Sequence, residues 1–479
     1  MIGIIFSSSV ITPELSIDFG NISSSEIPIA NDSLSKYQVK FLKKKCDKIF
    51  ITRLKEKKTN DLGFLPQRIF FVERNLSLIS LINIVLDKFQ HQDILILFGD
   101  TLIDYPKTFK ETKPIIFTTK HIKIRYPNWF SVDKQSYFCG SLYIPSKNIK
   151  KILKNKYKTI NEFLDHAKGF DNVKIPKGNW FDFGHFHTFY DSKKNFLDSR
   201  FFNNISISKN GFIKKSSTKI GKIIYEFNWF RDFEKFFPIL TPKVKNLNFI
   251  NSFASYELEY INFPSVSEIF VFGKLNSEEK KLIIKKLIQQ LNDIQKFKSS
   301  ESKSNENFIY KKLSSRRDDI LKYSNEFGFL NKIDKIINQN LNFFSKKKFK
   351  NVLMHGDYCF SNILYNRRTD QIKLIDPRGY TDSNQGYSLY GPYIYDFFKL
   401  AHSYIGNYDK IITGYDTSKL SLNSYKIKLE FFSKFSKIPK DLLLHGMVNL
   451  FLSMIPLHND SKKRQIEFFK TAIKLNKFL

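Results

Sequence analysis

The sequence predicts an α/β domain with a mixed, mostly parallel sheet, followed by an α+β domain, and three observations carry this. Over about the first 195 residues, short apolar strands alternate with helical patterns. From Asn204 a two-strand pattern around Lys209-Asn210-Gly211 leads into a helical one. Between Val352 and Tyr380 two short strand patterns bracket a polar turn, and mostly helical patterns follow. Strand–helix alternation favours a parallel sheet covered by helices, whereas a hairpin followed by runs of helices favours α+β. One core rarely serves more than about 250–300 residues, so a chain of 479 residues with 42% hydrophobic and 16% aromatic content holds more than one.

The first part opens with the apolar strand Gly3–Phe6. Leu34 to Ile49 then has helical spacing, with Leu34, Tyr37, Phe41, Leu42 and Cys46 on one side. Phe50–Thr52 and Ile69–Val72 read as strands, Leu76–Phe89 as a helix and Ile94–Phe98 as a further strand. Gly99-Asp100 follows that last strand directly. Ligands of open α/β sheets sit beyond the carboxyl ends of strands, so Asp100 is placed to meet a metal or phosphate. Tyr137–Ile144 reads as a strand, Ile160–Ala167 as a short helix, and Gly178-Asn179-Trp180-Phe181-Asp182-Phe183-Gly184-His185 follows.

In the second part Asn204–Ser208 and Phe212–Ser216 form a predicted hairpin, and Gly221–Phe233 a helix carrying Glu226. Alternation with period two lets only one of Lys214 and Lys215 face a cleft, and Lys214 is favoured. Ser255–Ile261, which includes Glu257, reads as a strand ended by Pro264. Asn276 caps a helix to about Phe297 with Glu279 as its capping-box partner; Leu282, Ile283, Leu287, Ile288, Leu291 and Ile294 form its core-facing stripe. Ser299–Asn307 reads as a polar loop, and helices are expected at Ile309–Tyr323 and Leu330–Phe344.

The most informative stretch is His355-Gly356-Asp357, four residues, then Asn362, with Leu374-Ile375-Asp376 on the next strand. Phosphoryl transfer needs a carboxylate to orient an attacking hydroxyl and accept its proton, and oxygen ligands to hold Mg²⁺ against phosphates. The stretch resembles the aminoglycoside phosphotransferase and choline kinase superfamily, which is protein-kinase-like and bilobal. The resemblance implies Asp357 as catalytic base, Asn362 and Asp376 as metal ligands, and His355 as a brace for the loop. It further implies a strand lysine (Lys214 or Lys215) paired with Glu226 on the phosphates of ATP, an adenine-binding hinge after the strand with Glu257, and Asp396 as a buttress of the catalytic loop. The first part resembles sugar nucleotidyltransferases, with Asp100 and Asp182 matching that family's two Mg²⁺-binding aspartates; His185 and His187 read as edge-packing residues or as ligands. It departs from that family after the first strand. Ser7-Ser8-Ser9-Val10-Ile11-Thr12-Pro13 has no glycine and no cation, so the domain is expected to be degenerate.

Three domains are expected: 1–195 nucleotidyltransferase-like, 196–262 a nucleotide lobe and 263–479 a largely helical catalytic lobe. The function expected is ATP- and Mg²⁺-dependent phosphorylation of a hydroxyl on a sugar or amino alcohol in surface-polysaccharide biosynthesis. The alternatives are a bifunctional kinase and nucleotidyltransferase, and a non-catalytic nucleotide-binding scaffold. Cys46, Cys139 and Cys359 lie far apart, which argues against a disulfide framework or zinc site and for a reducing, cytoplasmic setting. Met1–Phe6 lacks the charged start of a signal peptide, and no run of roughly 18 apolar residues is expected to span a membrane. The formal net charge of +32 is spread along the chain, with Lys43–Lys45 and Lys346–Lys348 the nearest things to patches, so no specific nucleic-acid partner is expected.

Overall fold

The computed structural model describes the chain except residues 30–31, 55–67, 74–75, 110–111, 121–129, 197–203, 208–210, 251, 300–307, 381–385, 415–416 and 418–419, and gives Asn204–Ile207 as backbone alone. Two compact units result: residues 1–197 with 272–274, and residues 198–271 with 275–479.

The first unit is an α/β layer structure around a mixed sheet. Its main strands run in the order Asp171–Lys174, Ile115–Thr119, Ser136–Ile144, Ile94–Phe98, Ile2–Phe6, Lys48–Leu54, Arg68–Val72. Ile2–Phe6 pairs in parallel with both neighbours, Ile4 lying opposite Phe50 and Ile96. Ser136–Ile144 runs antiparallel to the strands on either side of it. The central strand is buried at every position because both faces are covered. Alternation divides its side chains: Ile4 and Ile96 join a core with Val85, Leu142 and Phe163, while Ile5 and Leu97 join one with Leu42, Phe117 and Tyr143.

The helix expected over Leu34–Ile49 ends at Leu42. Lys43-Lys44-Lys45 offers no apolar side to continue it, and Ile49 is drawn into the sheet opposite Gly3. Phe272–Lys274 belongs to this unit: the Lys274 amide donates to Phe19 O at 2.7 Å. Lys274 and buried Arg53 both pair with Glu26.

The second unit is α+β. A four-stranded antiparallel sheet runs Asn204–Ile207, Phe212–Ser217, Phe253–Glu259, Val244–Ile250, with the helix Ile220–Phe233 packed on it. The predicted turn at Lys209-Asn210 lies outside the described residues, as does most of Ser299–Asn307. Asn276 caps the helix Ser277–Ile294 with Glu279 in a reciprocal capping box. The expected stripe needs one correction. Leu282 is 63% exposed, while Ile284 is buried beside Ile283, Leu287 and Ile288; the other five expected positions hold, and Ile284 takes the place of Leu282 at the edge of the stripe. The helix expected over Ile309–Tyr323 breaks into Phe308–Ser314 and Arg317–Glu326. Near the C-terminus, Lys440–His458 is long and apolar enough by composition to cross a membrane, contrary to expectation, with a mean hydropathy of 1.2 and 72% of the stretch buried inside the protein.

Candidate active site

The site forms where Met354-His355-Gly356-Asp357 leaves the strand Asn351–Leu353. Gly356 has φ +79°, and a Cβ there would lie 2.6 Å from the Arg378 Cβ, so the turn requires glycine. Asp396, on the helix Tyr393–Tyr404, clamps the turn by accepting from the His355 amide at 2.7 Å and the Gly356 amide at 2.9 Å. Burial pushes the Asp396 carboxyl up to about 7, partly opposed by those two amides. The His355 ring closes the turn from inside. Its Nε2 faces Ile375 O at 3.1 Å, and a carbonyl only accepts, so Nε2 carries the proton. Nδ1 is then free to accept from the Asp357 amide at 3.2 Å. Burial lowers His355 to about 4, which keeps the ring neutral. Trp229 ties the helix Ile220–Phe233 to the same turn through Nε1 to Met354 O at 2.8 Å.

Asp357 is gripped on both oxygens. Asn362 Nδ2 donates to its Oδ2 at 3.0 Å and to its backbone O at 3.0 Å. Lys399 Nζ lies 2.6 Å from Oδ1; that approach is a charge pair, since Oδ1 receives no well-directed hydrogen bond. Burial works to raise the Asp357 carboxyl, yet the charge and close approach of Lys399 hold it well below the usual carboxylate range. Asp357 is therefore ionised and oriented.

A hairpin brings Asn362 to Asp376. Ile363 lies opposite Leu374, and the Ile375 amide donates to Asn362 O at 3.0 Å. Asp376 has φ +53°, a left-handed conformation that costs a non-glycine residue about 1–3 kcal/mol. Such strain is a mark of functional sites. Lys215 Nζ reaches Asp376 Oδ1 at 2.7 Å and Glu226 Oε2 at 2.6 Å. Tyr256 also donates to Glu226 Oε2, at 3.0 Å. Burial works to lower the Lys215 ammonium, but Asp376 and Glu226 outweigh it and hold it well above the lysine range.

Two sequence expectations are corrected here. Period-two alternation favours Lys214 over its neighbour, but Lys215 occupies the inward position. Alternation is right and its phase is reversed: Lys215 pairs across the sheet with buried Tyr256, whereas Lys214 pairs with Glu257. Glu257 itself faces Asn246, whose Nδ2 donates at 3.2 Å, and Lys245 at 3.6 Å, so its side chain is spent on the neighbouring strand and does not join the cluster. Lys399 was missed. The only signal is its place three residues after Asp396, which puts both on one helix face.

Asp357, Asn362 and Asp376 supply hard oxygen donors of the type Mg²⁺ takes. Among the described residues no group of three or more His, Cys, Asp or Glu is arranged to hold a metal.

In the first unit Asp100 and Asp182 do come together: the Phe183 amide donates to Asp100 O at 2.9 Å. Burial and then the Asp182 charge push Asp100 up to about 6. Asp182 is occupied by protein donors, namely the Gly184 amide at 3.0 Å, Thr188 Oγ1 at 2.5 Å and His185 Nδ1 at 2.8 Å. His187 lies on the helix Phe186–Lys193 with its ring 5.5 Å from that of Phe186. The serine loop is tied down. Ser7 Oγ meets Ser25 Oγ at 2.5 Å, the Ser24 amide donates to Ser9 O at 3.1 Å and the Ile11 amide to Ile22 O at 3.1 Å.

No family model matches the chain, and no curated protein matches it. Several solved structures are similar to parts of it. HddC from Yersinia pseudotuberculosis is 13% identical, with a TM-score of 0.33 over 41% of this chain and 99% of its own. A putative glucose-1-phosphate thymidylyltransferase from Bacillus anthracis is 13% identical, with a TM-score of 0.34 over 42% of this chain and 97% of its own. The aminoglycoside phosphotransferase APH(2")-IIia, in complex with GDP and kanamycin, is 10% identical, with a TM-score of 0.41 over 59% of this chain and 92% of its own.

Proposed function

We propose that the second unit is an ATP-dependent phosphotransferase acting on the hydroxyl of a small molecule. The observation that carries this is the joining of two charged sets by one hairpin: Lys215 with Glu226 and Asp376, and Asp357 with Asn362. Each part has a task in phosphoryl transfer. Lys215, steered by Glu226, is placed to hold nucleotide phosphates. Asp376 and the side-chain oxygen of Asn362 are the groups that would hold Mg²⁺, which when bound neutralises phosphate charge. Asp357 orients the acceptor hydroxyl and accepts its proton as the new bond forms. Lys399 keeps that carboxylate ionised, which makes Asp357 a weak base suited to a loose transition state in which proton transfer comes late. The role of such an enzyme in surface-polysaccharide biosynthesis, and its cytoplasmic setting, belong to the same proposal.

We read the first unit as a binding or assembly domain, because Ser7 Oγ, Ser9 O and the Ile11 amide are spent on residues 22–25. The two adjacent lysines test the phosphotransferase reading. Lys215→Ala should weaken Mg-ATP binding at least about 10-fold, the loss of a charge-assisted contact. Lys214→Ala should bind within about two-fold of wild type. Equal effects of the two substitutions on nucleotide affinity would sink the assignment.

A further inference from the structure

Four cationic side chains gather near Asp357: Lys312, Arg316, Arg378 and Lys399. Aromatic rings link them. The Arg378 guanidinium carbon lies 4.7 Å from the Tyr380 ring centroid and 5.0 Å from that of Phe308. Phe308 packs on Tyr395 with centroids 4.9 Å apart. Lys312 bonds the Tyr395 hydroxyl, and its Nζ lies 5.0 Å from that ring. Arg316 Nη1 donates to Ser453 O at 2.5 Å. Tyr395 stands one helical turn before Lys399, which reaches Asp357.

This positive charge is in excess. Among the described residues, Lys399 alone of the four lies within ion-pair distance of a carboxylate. Burial, and then Arg378, Lys399 and Arg316, push the Lys312 ammonium well below the lysine range, with Asp357 opposing. As a residue Lys312 is half-buried. Buried polar atoms without a hydrogen-bond partner occur in the same region: Asp357 Oδ1, Arg378 Nε and both ring nitrogens of His402, one turn beyond Lys399. Lys312, Arg316 and Arg378 are half-buried, and such cations massed without counter-charge repel one another, which an anion would relieve. A guanidinium held against aromatic rings is, in turn, pre-organised for bidentate contact with a planar or tetrahedral oxyanion.

We propose that the hydroxyl acceptor carries an anionic group, a carboxylate or a phosphate, held by Lys312 and Arg378 while Asp357 faces the hydroxyl. This rests on the phosphotransferase reading. The acceptor oxygen bonds to the γ-phosphorus as the bond from that phosphorus to the β,γ-bridging oxygen breaks. ADP leaves with the electron pair, and the hydroxyl proton passes to Asp357. Arg316 backs the site through its charge.

The test uses the full-length chain saturated with Mg²⁺ and a non-hydrolysable ATP analogue. Inorganic phosphate and citrate are titrated in, and binding is read by thermal shift. Wild type should bind saturably, and Lys312→Gln and Arg378→Gln at least about 10-fold more weakly, as expected for one charged contact. Lys312→Arg, which keeps the charge, should bind near wild type, and Lys214→Gln should be unchanged. Retained binding of the ATP analogue shows that each variant is folded. A second arm compares glycerol, glycerate, glycerol phosphate and ethanolamine, and glucose, glucuronate, glucose 1-phosphate and glucosamine, as acceptors from ATP. Preference for the carboxylate member or the phosphate member identifies the anion. Equal anion binding by wild type and the glutamine variants overturns the proposal, as does better turnover of neutral or amino members; both leave the phosphotransferase reading standing. Failure of the wild type to bind the ATP analogue overturns that reading and the proposal together.

Discussion

At the residue scale, the site rests on charge pairs whose geometry fixes protonation states. Lys399 beside Asp357 is the clearest case. Lys399→Met removes a preorganised charge next to the reacting atoms, so kcat should fall by about 10²–10³-fold, as for loss of one transition-state donor, with the ATP KM nearly unchanged. Steady-state kinetics checks the split. His355 gives a prediction in pH. Its folded value of about 4 lies below the ordinary histidine value of about 6.5. The unfolded chain therefore takes up a proton first as pH falls, and the stability contributed by the neutral ring is lost from pH 6.5 downward. Between pH 6.5 and 5 the loss amounts to about 2 kcal/mol. Urea unfolding at the two pH values should show that slope, and His355→Asn should flatten it; the slope left over reports other buried histidines such as His445, also lowered to about 4 by burial.

At the scale of elements, legibility followed locality. Asp357, Asn362 and Asp376 could be read from sequence because a single turn and hairpin hold them together. Lys399 and Lys312 could not, since Lys399 reaches Asp357, and Lys312 reaches Tyr395, through space from separate helices. The two adjacent lysines show a different limit. Phe212-Ile213-Lys214-Lys215-Ser216-Ser217 alternates too weakly to fix which face is inside, and the partner Tyr256 decides it. The helix Ser277–Ile294 behaves similarly: its cap was readable, while Ile284 and not Leu282 forms the edge of its apolar stripe. Leu282→Ala should therefore change stability by less than about 0.5 kcal/mol, the usual range for surface positions. Leu287→Ala should cost about 2–5 kcal/mol, since Leu287 is fully buried. Chemical denaturation of the pair measures the difference.

At the scale of the whole molecule, two units carry unequal sets of functional groups. The first keeps a buried aspartate pair but spends its serine loop on internal hydrogen bonds. The second joins Lys215, Glu226 and Asp376, and Asp357 and Asn362, in one connected arrangement. The two fold classes were legible because strand–helix alternation gives way to a hairpin and then to helices. The strand order of the first unit was not, because apolar strands buried on both faces carry no signal of their neighbours. The central claim is that Asp357 directs phosphate transfer from ATP. The most direct measurement follows γ-labelled phosphate from Mg-ATP into a panel of hydroxyl acceptors, with wild type and Asp357→Asn compared side by side. The account predicts a labelled product with wild type, lost by at least about 10²-fold in Asp357→Asn, with ATP affinity retained. Labelled product formed equally by both proteins, or no labelled product from wild type across the panel, would contradict it.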